Sequence, residues 1–153
     1  MTVSDLRTGL DAVDEQHRAM LLHMGRVAQL VTAAGNVGDI SKALAALWEE
    51  AVAHFAAEEE LMTEHAYPEK EPHKTAHRLF LEDLQGLMRT LAEQGLTVDV
   101  VAWASERVPE WLTFHIEAND LPMARYVARR SAARILANAR GEPVPAKPKR
   151  SDA

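Results

Sequence analysis

The sequence predicts an all-α fold, an antiparallel up-down four-helix bundle with a short additional C-terminal helix. Apolar residues recur at spacings of three and four along most of the chain, the period of one face of a helix. Breaks at Gly35-Asn36, Tyr67-Pro68 and Gly95 are short, and the long segments between them suit antiparallel neighbours. Strand signals are weak, with little alternation and no tight hairpin dipeptide between β-branched runs. A chain of 153 residues suits a single core.

The first helix carries Leu10, Val13, Met20, Leu21, Met24, Val27 and Val31 as its stripe, with Asp11 or Asp14 as the expected cap and Gly35-Asn36 as its end. Asp39 or Ser41 is the expected cap of a second, which carries Leu44, Leu47, Ala51, Leu61 and Met62 and ends at Tyr67-Pro68. A third begins near Pro72 and runs through Phe80, Leu81, Leu84, Leu87, Met88 and Leu91 to Gly95. Thr97 caps a fourth with Val101, Val108, Leu112 and Ile116, and Pro109 is expected to kink or split it. Beyond Asp120 the stretch LPMARYVARRSAARILANAR supports the short extra helix, with an arginine-rich face.

Charge is unevenly spread. Residues 1–120 hold nine Lys and Arg against 21 Asp and Glu, whereas residues 121–153 hold eight against two. An acidic body excludes a nucleic-acid-binding surface there, and no nucleic-acid partner is expected. The basic end reads as a solvated helix face followed by a loose tail. No run approaches the roughly 18 apolar residues of a membrane span. The start, MTVSDLRTGL, has no secretory pattern, and cysteine is absent, which removes disulfides and thiolate ligands. These features set the expectation of a cytoplasmic protein.

Several residues sit on the apolar stripes without being apolar. His17 lies four after Val13; His54 lies seven after Leu47, with Glu58 one turn on. His73 and His77 precede Phe80 and Leu84 by seven each, and His115 follows Leu112 by three. All four helices therefore aim an imidazole at one interior. Burying a polar group without a partner costs on the order of 2–7 kcal/mol, and a charge more. A shared metal site would satisfy them together. Singly the signals are weak: HxxxE is usually a surface pair, and a lone His17 suits a hydrogen-bonded core. HxxxH is better, because side chains four apart are about 5–6 Å apart at Cβ. Asp120 lies five after His115, about 140° further round a regular helix, so metal ligand and helix cap both stay open. Pro122 supplies a reason for a distortion that would bring them together.

The donor count bears on the metal. Zinc usually takes four tetrahedral ligands, fewer than the candidates here. Five imidazoles, two bridging carboxylates and one bridging oxide or hydroxide would fill all but one position around two octahedral ions. The mixed donor set suits iron and leaves manganese or cobalt open.

These motifs resemble the hemerythrins, the bacterial single-domain members in particular. The matching pieces are DEQH at 14–17, HFAAEEELM at 54–62, YP at 67–68, HKTAH at 73–77 and WLTFHIEAND at 111–120. The resemblance implies a non-haem di-iron centre, with a bridging oxide or hydroxide, in a four-helix bundle. His73, His77 and His115 would hold one iron, His17 and His54 the other, with Glu58 and Asp120 bridging. The two-histidine iron would carry the open position for O2, taken up with electrons from the ferrous pair and a proton from the bridging hydroxide. Phe55, Trp111, Leu112 and Ile116 flank the ligands and are candidates for an apolar O2 pocket, or equally for ordinary core. His23 and His65 are expected at the surface; Glu59 and Glu60 are expected to be solvated, with contact to a ligand imidazole as the alternative. The sequence departs from the family in lacking an aromatic residue before the first helix and in continuing well past Asp120.

The organisation expected is a hemerythrin-like di-iron bundle over 1–126, a basic helical extension over 127–139 and a disordered tail over 140–153. The leading function is reversible O2 binding for storage, delivery to an oxygen-consuming or redox partner, or sensing, without catalysis. The alternatives are a di-iron enzyme that reduces peroxide or nitric oxide, and an O2- or iron-responsive interaction module acting through the basic end. The sequence leaves the oligomeric state undetermined.

Overall fold

The computed structural model describes residues 6–141; the expected disordered tail lies, but for Arg140 and Gly141, outside them. Helices α1 (Asp11–Thr32), α2 (Val37–His65) and α3 (Lys70–Gln94) form three of the four rods. The fourth is composite: α4 (Val98–Ala102), a π turn (Trp103–Arg107), α5 (Val108–His115), a second π turn (Ile116–Asp120) and α6 (Leu121–Ala139). Trp103, Val108, Ile116 and Leu121 all have right-handed helical φ and ψ, so this rod runs unbroken. The basic C-terminal helix thus grows directly out of the fourth rod. α1 packs along α2, α2 along α3, and α1 also along the fourth rod. Among the described residues no helix is long and apolar enough to cross a membrane.

The prolines of the fourth rod act through the turns that precede them. Each lies in the first two residues of the next α segment, just after a π turn. A proline has no N–H to bond the carbonyl four residues back, and its ring crowds that carbonyl. A π turn re-routes the ladder one residue further: Val108 N–H bonds Trp103 O, and Leu121 N–H bonds Ile116 O. Pro109, expected to kink or split the helix, is instead absorbed without interrupting it.

Helix ends differ from expectation in two places. Neither Asp11 nor Asp14 caps α1; Leu10 occupies that position without a side-chain hydrogen bond. α2 is capped by Asn36, whose side chain accepts from Asp39 N–H at 2.9 Å, rather than by Asp39 or Ser41. Asn36 therefore opens a helix as well as following the end of α1. Tyr67-Pro68 follows a left-handed Ala66 (φ 52°) whose neighbour Tyr67 bonds back to Met62 O at 2.9 Å. Gly95 closes α3 at φ 77°, a conformation that strains any residue with a Cβ. Thr97 caps α4 as expected, accepting from Val100 N–H at 3.3 Å.

Two apolar clusters flank the middle of the bundle. The larger joins Met20, Met24, Val27 and Val31 of α1 to Ile40, Leu44 and Leu47 of α2, Leu84 and Leu91 of α3, and the fourth rod. The smaller, Met62, Met123 and Val127, lies where α6 crosses α2. Tyr126 anchors that crossing by donating its hydroxyl to Ala66 O at 3.1 Å. Past Ser131 α6 is mostly exposed, Ile135 and Leu136 included.

Asn36→Ala should lower the unfolding free energy by about 1 kcal/mol, whereas Ser41→Ala should change it by less than about 0.5 kcal/mol. Paired urea titrations read by circular dichroism check this. Equal losses would return the cap to the expected place.

Candidate metal centre

Among the described residues, eight buried side chains are polar or charged: Asp14, His17, His54, Glu58, His73, His77, His115 and Asp120. Seven of these are the candidate ligands read from the sequence. They lie between the two apolar clusters, one or two from each rod, and the bundle has closed over them.

Their donor atoms form two sets. Glu58, His73, His77 and His115 make one; His17, His54, Glu58 and Asp120 make the other. Within each set one atom from every residue lies within 4.8 Å of the rest, close to the spread of ligands at about 2.0–2.2 Å around one ion. Glu58 belongs to both, with Oε2 at 3.2 Å from His77 Nε2, 3.5 Å from His73 Nε2 and 3.6 Å from His54 Nε2. Asp120 also faces both sets. Its Oδ2 is 3.0 Å from His17 Nε2, while its Oδ1 is 3.0 Å from His73 Nε2 and 3.1 Å from His115 Nε2.

The second π turn places Asp120. On a regular helix a residue five after His115 would point about 140° away. A π turn takes up one extra residue, so positions five apart return to one side. Pro122 and the His115–Asp120 spacing are therefore one feature: the proline disfavours the α ladder at the turn that brings the carboxylate inward.

His73 Nε2 and His115 Nε2 lie 3.2 Å apart at hydrogen-bonding geometry, but most of the other close approaches do not amount to hydrogen bonding. His17 Nδ1 and Nε2, His54 Nε2, His77 Nε2, both Glu58 oxygens and both Asp120 oxygens are buried with no hydrogen-bond partner. Lone pairs crowded without donors of suitable alignment fit a cation between them. Imidazole nitrogen and carboxylate oxygen, without thiolate, suit a first-row metal such as iron.

The electrostatics are those of a site prepared for positive charge. Burial would raise the Glu58 carboxyl, but the His73 and His77 imidazoles beside it outweigh burial and bring it down to about 2. Burial likewise works against Asp120, and His115, His17 and His73 hold it well below the usual carboxylate range. Burial pushes His54 down to about 4 and also lowers His115, which keeps both neutral, as metal ligation requires. His73 goes the other way: burial lowers it, but Asp120 and Glu58 outweigh burial and lift it to about 9.

Around the donors lies a layer that sequence reading found in part. Glu59 Oε1 is 3.2 Å from His77 Nδ1, with Lys74 Nζ 3.8 Å from its other oxygen, so Glu59 meets a candidate ligand instead of being merely solvated. Gln16 Oε1 lies 3.1 Å from His54 Nδ1, and the Asn119 amide 3.3 Å from His115 Nδ1. Gln16 and Asn119 were not foreseen. Glu60 is exposed. His23 is half-buried and outside both sets. His65, expected at the surface, is half-buried because α6 passes over it: Nδ1 donates to Leu61 O at 3.1 Å, and Ser131 Oγ lies 3.4 Å from Nε2.

Of the candidate pocket residues, Phe55 stacks on His77 with ring centres 4.0 Å apart and sits 5.5 Å from His54. Trp111 stacks on His115 at 4.5 Å. Leu112 and Ile116 are fully buried, and Ile116 lines a cavity with His17.

Two adjacent imidazole–carboxylate donor sets inside a helical bundle are an arrangement with which such bundles can hold paired metal ions. The family described as the hemerythrin HHE cation binding domain matches residues 8–127, and the chain belongs to it. A bacteriohemerythrin of Stenotrophomonas maltophilia is 32% identical over 129 residues, which are 80% of this chain and 78% of that protein. Myohemerythrin-1 of Phascolopsis gouldii is 31% identical over 114 residues, 74% of this chain and 82% of that protein.

Because His73 titrates near 9, a cation entering the metal-free protein near neutral pH must displace its proton. Anaerobic loading with ferrous ion near pH 7 should release about one proton per chain, and the release should fade as pH rises past about 9. Titration calorimetry in buffers of differing ionisation enthalpy reads this directly.

Proposed function

We propose that the chain binds O2 reversibly at a non-haem di-iron centre, for storage, delivery or sensing. One observation carries the reading: two buried donor sets share Glu58 and are both faced by Asp120. In this reading His73, His77 and His115 hold one iron and His17 and His54 the other, with Glu58 and Asp120 between them. When bound, the ferrous pair supplies electrons and an open coordination position.

The chain's own residues do the rest. Gln16, Glu59 and Asn119 contact the Nδ1 atoms of His54, His77 and His115, which fixes the rings and keeps Nε2 aimed inward. Phe55 and Trp111 lie flat against two of those rings and limit their rotation. With Leu112 and Ile116 they provide apolar walls that exclude water and so slow irreversible oxidation. Neutral imidazoles outnumber carboxylates among the donors, a balance that favours carriage over the higher oxidation states supported by carboxylate-rich sites.

Anaerobic reduction followed by air, with iron counted and the visible spectrum recorded, tests the proposal. The expected result is two irons per chain and a band that appears with O2 and vanishes under vacuum. Direct passage to a stable ferric form would favour a redox enzyme, and retention of zinc without an O2 response would end the proposal. His77→Leu should lose one iron or the pair, while His23→Leu should keep both; equal loss would undo the ligand assignment.

A further inference from the structure

Asp14, the eighth buried polar side chain, belongs to neither donor set. Its carboxylate gathers the segment that precedes α1. Oδ1 accepts from the Thr8 N–H at 2.7 Å and the Thr8 hydroxyl at 2.8 Å. Oδ2 accepts from the Gly9 N–H at 3.2 Å and lies 3.7 Å from Arg7 Nε. Gly9, at φ 81°, makes the bend that brings those donors round. The chain from Leu6 to Leu10 is thereby strapped over the start of α1.

Beneath the strap is a cavity of about 170 Å³. Leu6 and Arg7 of the strap line one side, and Asp14, His17, Arg18, Leu21 and Ile116 of the bundle line the rest, the exposed Arg18 pairing with Glu15. The volume is several times the roughly 30 Å³ share of a water molecule, enough for a diatomic gas to lodge. His17 is 4% exposed, whereas each of the other six candidate ligands is at most 1% exposed. It belongs to the set with two histidines, one fewer imidazole than the other, which the resemblance to the hemerythrins implies is the side with the open position. Leu6, Leu21 and Ile116 offer an apolar wall to a neutral gas, while the exposed Arg7 stands at the rim.

We infer that this cavity is the O2 port to the two-histidine side, and that Asp14 is a positioning residue latching the 6–10 strap across it. The inference rests on the proposed function. O2 passes when the strap lifts locally, an opening that breaks the Asp14 hydrogen bonds and leaves the bundle intact. A latch lies on the path and alters neither end state. Loosening it therefore speeds uptake and release by one factor and leaves affinity unchanged.

The test uses the full chain loaded with ferrous iron, in wild type, Asp14→Asn and Thr8→Val. Thr8→Val removes one hydroxyl donor and keeps the buried carboxylate and its backbone partners, so it remains informative if Asp14→Asn folds poorly. Stopped-flow mixing with O2 gives the association rate, and trapping of released O2 by excess dithionite gives the dissociation rate. Amide hydrogen exchange at Thr8 and Gly9 reports the strap itself. The expected result for Asp14→Asn is both rates raised about tenfold, a ratio unchanged within about twofold, and faster exchange at both amides; Thr8→Val should change the same readouts by a smaller factor. Faster exchange with unchanged O2 rates would place the port elsewhere and overturn the inference. A change in dissociation alone would make Asp14 part of the binding site, which also overturns it. If the wild type takes up no O2, the functional reading fails by itself. The O2 port falls with it, and the latch alone is then judged by the rate at which a small chelator strips the metal: faster removal in Asp14→Asn upholds the latch over this cavity, and an unchanged rate overturns it.

Discussion

The fold is organised around donor atoms that have been taken out of water and given no hydrogen-bond partner. Eight such atoms, from His17, His54, His77, Glu58 and Asp120, lie in the middle of a bundle otherwise packed with Leu, Ile, Val and Met. At on the order of 2–7 kcal/mol for each uncompensated polar group, these five side chains make a demand that exceeds the roughly 5–15 kcal/mol net stability of a domain over most of its range. Two arrangements ease it without an ion. The carboxylates stay charged because imidazoles surround them, and Asp120 and Glu58 in turn lift the His73 imidazole to about 9 against the effect of burial. Neither satisfies all the lone pairs. The apolar clusters on either side hold the rods in register while the centre stays polar.

Much of this was legible in the sequence because helical periodicity is a strong signal and histidines are rare. An imidazole on an apolar stripe is ambiguous alone, but five of them on four consecutive stripes point to one interior. Asp120 was the limit of that method. Its spacing from His115 breaks the α period, and only the π turn before Pro122 makes the two residues neighbours. Helix caps were less legible, since Gly35-Asn36 reads as the end of α1 while Asn36 also opens α2. Asp14 read as a helix cap because an acid near a helix start usually is one; its real partners precede the helix.

The residues that steady the ligand rings follow a simple rule. Gln16 precedes His17 but touches His54; Glu59 follows Glu58 but touches His77; Asn119 precedes Asp120 but touches His115. One residue along a helix is a rotation of about 100°. A polar residue beside an inward ligand therefore points sideways, toward another ligand, on its own helix or the next. In Gln16 and Glu59 it reaches the neighbouring rod; Asn119, four after His115, meets a ligand of its own rod by ordinary helical spacing.

The unbroken fourth rod makes the centre and the arginine-bearing end one mechanical body. α6 is 19 residues long and begins at the residue after Asp120. Tyr126 pins it to Ala66, and the stretch from there to Ala139 is an arm about 20 Å long at about 1.5 Å per residue, mostly exposed past Ser131. A pivot of about 5° at Tyr126 would carry the far end through roughly 1.7 Å, by the same rise per residue.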